Sequence, residues 1–164
     1  MMNVKNTLNI MAAVSFCILS TISQAAVIND LPLIGLNETE NTQFKALQGD
    51  YIYVDFWATW CKPCKKSFPF MVKLQKTFKD KNFKVIAISV DADKADAIKF
   101  LVDNPINFDV YHDVDGVIAT QFEISGMPTS YLIDPKGNII SIHVGFNKDS
   151  QQAITEKLNH IFNK

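Results

Sequence analysis

Arginine is absent from this sequence: all 16 basic side chains are lysine, against 17 acidic ones, for a formal charge of -1. No field of one sign dominates the surface, so nothing calls for a nucleic-acid partner. Cysteine is scarce at three residues in 164, and the second CxxC pair that a thiolate zinc site would use is missing. Repeats, low-complexity segments and long linkers are missing too, which leaves one domain as the simple account. What the chain does have is apolar mass. Its 48% hydrophobic content, with 12 Phe, is enough for a sizeable core and excludes a disordered or fibrous reading.

Residues 1–26 differ from the rest. Lys5 precedes an apolar run over 8–22, followed by small residues at Ser23, Ala25 and Ala26. This pattern predicts a secretory signal peptide cleaved after Ala25 or Ala26, leaving a mature domain over 27–164. An uncleaved anchor is the alternative, but a spanning helix wants about 20 apolar residues and this run is interrupted by Ser15, Ser20 and Thr21. Cys17 leaves with the peptide. The expected destination is the periplasm or another extracytoplasmic space, where thiols do not stay reduced by default.

Along the mature chain, a short helix is expected at 41–47 and a buried strand at YIYVDFW, which carries Asp55. Phe68, Met71, Val72, Leu74 and Phe78 then recur at mostly three- and four-residue spacing, predicting a helix from Lys62 that Pro69 should kink or interrupt. A second strand, FKVIAISVD, leads to a helix whose marked positions are Ala95, Ile98, Leu101 and Val102. FDVYHD reads as a strand, followed by a helix carrying Val114, Val117, Ile118 and Phe122. TSYLID and NIISIHV flank a Pro135-Lys136-Gly137 turn, and a last helix should start at an Asp149 or Ser150 cap. The class is therefore α/β, a central mixed β-sheet flanked by helices.

Cys61 and Cys64 follow the first strand directly. Two residues apart, they close too small a loop to explain much stability, so a structural staple is the weakest account of them. A helix beginning at Cys61 sets the first sulfur among unpaired amides, which favours the thiolate over a thiol of ordinary pKa near about 8.5. Lys62 pushes the same way, and Pro63 limits the backbone so that Cys64 can reach back. In the resulting chemistry, Cys61 attacks a partner disulfide and Cys64 resolves the mixed disulfide. A copper-binding chaperone using both sulfurs and one of His112, His143 or His160 is the metal alternative. The two-residue loop containing proline favours redox exchange, with no metal and no cofactor.

The segment DFWATWCKPC resembles the active site of the thioredoxin superfamily, and VIAISVD and ISGMPTSYLIDPKGNII extend the likeness toward its TlpA/ResA-like branch. The resemblance implies a thioredoxin fold with the extra strand and helix of that branch, and thiol-disulfide oxidoreductase activity. It implies that Met127-Pro128 is a cis-proline loop beside the cysteines, with Met127 pairing to an extended substrate segment. Trp60 would border the docking rim with Lys62 and Pro63, and Trp57 would pack under the loop. Asp55 matches a buried acid that takes the proton of Cys64 through water, although the TlpA-like branch often has Asn there. Thr129 stands where a cytochrome c maturation member often has an acid. The implied partners are disulfide-containing proteins and a membrane-embedded thiol donor, with the chain acting as a monomer. Whether the dithiol works as reductase or as oxidase or isomerase depends on its potential.

Overall fold

The computed structural model describes residues 28–36 and 41–163; the expected signal segment lies outside the described residues. The order is β1 (Pro32–Leu33), β2 (Thr42–Gln43), a 3-10 turn (Phe44–Leu47), β3 (Tyr51–Trp57) and α1 (Lys62–Thr77). There follow β4 (Phe83–Ser89), α2 (Lys94–Asp103), β5 (Asp109–His112), α3 (Val117–Gln121), β6 (Thr129–Ile133), β7 (Ile139–Val144) and α4 (Lys148–Phe162). β1 and β2 form a small ribbon, while the other strands make one mixed sheet in the order β5-β4-β3-β6-β7. β4 runs parallel to β3 and β5, and β6 antiparallel to β3 and β7.

β3 is central, and its β-branched and aromatic residues are buried from Ile52 to Trp57. The pleat sends Tyr53, Asp55 and Trp57 to one face and Ile52, Val54 and Phe56 to the other. On the first face Tyr53 and Trp57 join Val85, Phe68, Met71 and Leu74, with Ile154 and Leu158 of α4 closing over them. Trp57 meets Phe68 edge-on at 4.7 Å between centroids. On the second face Val54 and Phe56 pack with Leu31, Phe44, Ile118 and Phe122. Helices thus flank both faces, though the second is closed largely by the N-terminal segment and the short α3.

Several local expectations change. Over 41–47 the expected short helix forms only as the 3-10 turn Phe44–Leu47, because Thr42–Gln43 pair as β2. α1 runs unbroken through Pro69: proline removes a single rung of the helix, and Phe68, Met71 and Leu74 are buried on either side of it. In α2 the buried residue is Ala97, while Ile98 and Val102 are 38% and 76% exposed. The cause is Phe100, which packs on Trp57 and Phe68 and so turns that helix face. α3 starts only at Val117 because Gly116 before it has φ 66° and the Asp113 carboxylate accepts from the Ile118 and Ala119 amides at 3.1 and 2.8 Å. Val114 is left outside the helix and exposed. Asn147, rather than Asp149 or Ser150, caps α4 through a reciprocal box with Ser150. The Pro135-Lys136-Gly137 turn between β6 and β7 forms as expected, with Gly137 at φ 87° and the Asp134 carboxylate accepting from the Lys136 and Asn138 amides.

The β3–β6 register decides where the site forms. Phe56 pairs with Thr129 and Asp55 with Ser130, so the start of β6 lies beside the strand end that leads into the cysteines.

Candidate active site

The turn from β3 into α1 is held from outside. The Cys61 amide donates to the Ala58 carbonyl at 3.0 Å. The Thr59 amide and hydroxyl donate to Asp91 Oδ1 at 3.0 and 2.7 Å, and the Ser89 hydroxyl donates to Asp91 Oδ2 at 2.9 Å. Asp91 is 1% exposed; a carboxylate so deeply buried is tolerable because these donors satisfy it. Asp91 thereby ties the cysteine turn to the end of β4. Sequence reasoning missed it, because a lone polar residue closing a strand pattern carries no periodic signal.

Cys61 is the N-cap of α1, with Lys62 as the first helical residue and Pro63 within the first turn, where a missing N–H costs nothing. Its Sγ accepts from the Cys64 amide at 3.3 Å. The two cysteines form a disulfide across a Cα separation of 5.3 Å. Opening it would leave Cys61 Sγ at a helix N-terminus with an amide donor aimed at it, an arrangement that favours thiolate over thiol. Cys61 is 6% exposed and Cys64 0%, so of the two only Cys61 reaches the surface. Lys62, Lys65, Lys66 and Lys73 lie on the solvated side of the helix, with the Lys65 ammonium 5.3 Å from the centre of the Phe100 ring.

Behind the cysteines lies a small polar island in an apolar core. Asp55 is 1% exposed, and burial pushes its carboxyl up to about 8, partly offset by the Ser67 hydroxyl. Ser67 Oγ lies 3.2 Å from Asp55 Oδ2 and 2.8 Å from the Cys64 carbonyl. Tyr53 is held un-ionised by burial first and by the neighbouring Asp55 second, against a hydrogen bond with Ser130. Ser67 and Ser130 were not singled out from the sequence; at Ser67 the helical apolar pattern merely skips a position.

In front of Cys61 is an open groove of about 790 Å³ whose walls include Trp60, Lys62, Pro63, Val114, Ile124 and Met127. Trp60 is 69% exposed, whereas Trp57 is fully buried under the turn. The Met127–Pro128 bond is cis, and Thr129 Oγ1 donates to the Gly126 carbonyl at 2.7 Å beside it. Among the described residues no group of three or more His, Cys, Asp or Glu is placed to hold a metal. His112 meets the Asp91 carbonyl and His143 the Ser141 hydroxyl.

A mixed sheet between helices, with a redox-capable CxxC disulfide at the N-terminus of the first long helix, defines a thioredoxin-like fold. Residues 25–142 match the AhpC/TSA family, and the chain belongs to it. It is similar to the thiol-disulfide oxidoreductase ResA of Bacillus subtilis, 32% identical over 124 residues that cover 74% of this chain and 69% of the relative. The ResA of Bacillus thuringiensis subsp. konkukian is 37% identical over 126 residues, 76% of this chain and 70% of the relative. A solved structure from Chlorobium tepidum, assigned as thiol:disulfide interchange protein DsbE, aligns with a TM-score of 0.75 at 38% identity. That alignment covers 80% of this chain and 92% of the other.

Proposed function

We propose that the chain is an extracytoplasmic thiol-disulfide oxidoreductase that reduces disulfides in partner proteins through Cys61 and Cys64. The observation that carries the reading is the position of Cys61 Sγ, which caps α1 and receives the Cys64 amide while Cys64 itself is sealed behind it. The thiolate of Cys61 attacks one sulfur of a substrate disulfide; the other substrate sulfur leaves with the bonding pair. Cys64 gives up its proton to the ionised carboxylate of Asp55 and attacks Cys61 Sγ, so the mixed disulfide breaks and the Cys61–Cys64 bond forms. The substrate gains two electrons and the protein loses two.

The groove seats the substrate. Trp60, Lys62 and Pro63 form its rim, and an extended segment next to the substrate cysteine pairs with the backbone at Met127 beside Pro128. The signal segment 1–26 delivers the chain across a membrane, where it works as a monomer. A reductase in an oxidising compartment must itself be re-reduced, which calls for a membrane-embedded thiol donor. Similarity to proteins named ResA and DsbE supports the reaction class.

Direction is tested by titrating the Cys61/Cys64 pair against dithiothreitol buffers. A potential near the about -270 mV of thioredoxin is expected, and one near the about -120 mV of DsbA would make the protein an oxidase. In the same preparation Cys64→Ser should accumulate covalent adducts with a disulfide substrate, and Cys61→Ser should form none. Adducts in neither variant would refute the assigned order.

A further inference from the structure

Ser67 has one hydroxyl proton and two acceptors within reach, the Asp55 carboxylate and the Cys64 carbonyl. It is fully buried, so bulk solvent does not reach it. We propose that Ser67 is the positioning residue that lets Asp55 exchange a proton behind Cys64, its hydroxyl turning between Asp55 Oδ2 and the Cys64 carbonyl as the carboxyl loses or gains its proton. The proposal rests on the reading of Asp55 as the proton carrier for Cys64.

In both states the Ser67 hydroxyl keeps a partner. When Asp55 is ionised, Ser67 donates to Oδ2, and the Cys64 carbonyl keeps its place in the helix ladder of α1. When Asp55 is protonated, the carboxyl O–H donates to Ser67 Oγ, which passes its own hydrogen to the Cys64 carbonyl. The spacing in the disulfide form, 2.8 Å to the carbonyl and 3.2 Å to the carboxyl, fits the second arrangement. A buried carboxyl that loses its one donor is penalised heavily in the charged form; a hydroxyl able to reverse its role removes that penalty in each direction.

The surroundings leave this task to Ser67. From its own strand Asp55 is neighboured by Tyr53, whose ionisation the Asp55 charge opposes and a Ser130 hydrogen bond favours. β4 presents Ala87 in register with it, and α1 presents Ser67 and the Cys64 backbone. Among the described residues no cation pairs with Asp55: burial raises its carboxyl and the Ser67 hydrogen bond pulls it partly back down.

When a small dithiol such as dithiothreitol reduces the protein, its thiolate bonds to Cys61 Sγ and the Cys61–Cys64 pair of electrons goes to Cys64. The Asp55 proton then moves to Cys64 Sγ. Dithiothreitol's second thiol displaces Cys61, and the reagent leaves as a cyclic disulfide.

The test follows this reduction at single turnover in the full chain by tryptophan fluorescence across pH, alongside 13C NMR titration of the Asp55 carboxyl in the oxidised protein. Ser67→Ala should move the Asp55 midpoint upward by about one pH unit, a tenfold change in acid dissociation, and carry the bend in the rate profile with it. In an Asp55→Asn background the same substitution should leave the profile unchanged. A Ser67→Ala midpoint equal to that of the parent, or equal slowing in both backgrounds, overturns the proposal and leaves the Asp55 reading standing. If Asp55→Asn alone changes neither the rate nor its pH profile, the Asp55 reading falls and this inference falls with it.

Discussion

At the scale of single residues, the buried carboxyl of Asp55 carries the largest consequence for stability. The unfolded chain releases this proton near 3.8, whereas the folded chain holds it to about 8. Between those values the native state binds more protons than the unfolded state, so stability falls as pH rises through the window and levels off above it. At pH 7 the deficit amounts to as much as about 4 kcal/mol. Asp55→Asn should therefore raise the unfolding free energy of the oxidised protein at neutral pH and leave it nearly unchanged at pH 4, as read from guanidinium unfolding at both values. A variant equally stable to the parent at pH 7 would mean that the carboxyl is not held protonated by the fold. The destabilised acid is the kind of local cost found at functional sites. Its presence was legible in the sequence as an acid inside an apolar strand; its partner Ser67 was not, because a small hydroxyl residue on a helix looks the same buried or exposed.

At the scale of elements, two aspartates separated by one residue do different jobs. Asp93 is exposed and caps α2 through the Ala95 amide at 2.8 Å. Asp91 is buried and fastens the Thr59 turn to β4. Asp93→Ala should cost about 1 kcal/mol, typical of an N-cap, and leave thiol exchange untouched. Asp91→Ala removes the acceptor of the Thr59 amide and of two hydroxyls, so it should cost roughly 2–4 kcal/mol and slow exchange at least about tenfold as the turn loosens. Unfolding curves and the dithiothreitol reduction rate check both; equal losses of stability with exchange intact in each would show that Asp91 does not position the cysteines. Strands β3 and β4 were plain in the sequence, because seven-residue apolar runs buried on both faces leave little else to choose. The rotation of α2 was hidden: it follows from Phe100 seating on two aromatic rings of other elements, which no local period records. The shortness of α3 comes from a left-handed glycine and a side-chain cap, which compete with an apolar spacing that would carry the helix further back.

For the molecule as a whole, the candidate active site is divided between two distant stretches of chain. The cysteines arrive with β3 and α1, whereas the groove wall at Met127 and the strand carrying Ser130 arrive only with β6, after β4, α2, β5 and α3. Pairing of Asp55 with Ser130 is among the long-range closures that small domains complete slowly. During refolding, then, helical signal should recover before dithiol activity does, a sequence that stopped-flow circular dichroism and timed exchange assays can resolve. Simultaneous recovery would count against it. In the oxidising space proposed for this chain, the order would mean that its own thiols are present before the apparatus that governs them. There the folding polypeptide would pass through an interval as an ordinary substrate for the disulfide chemistry it later carries out.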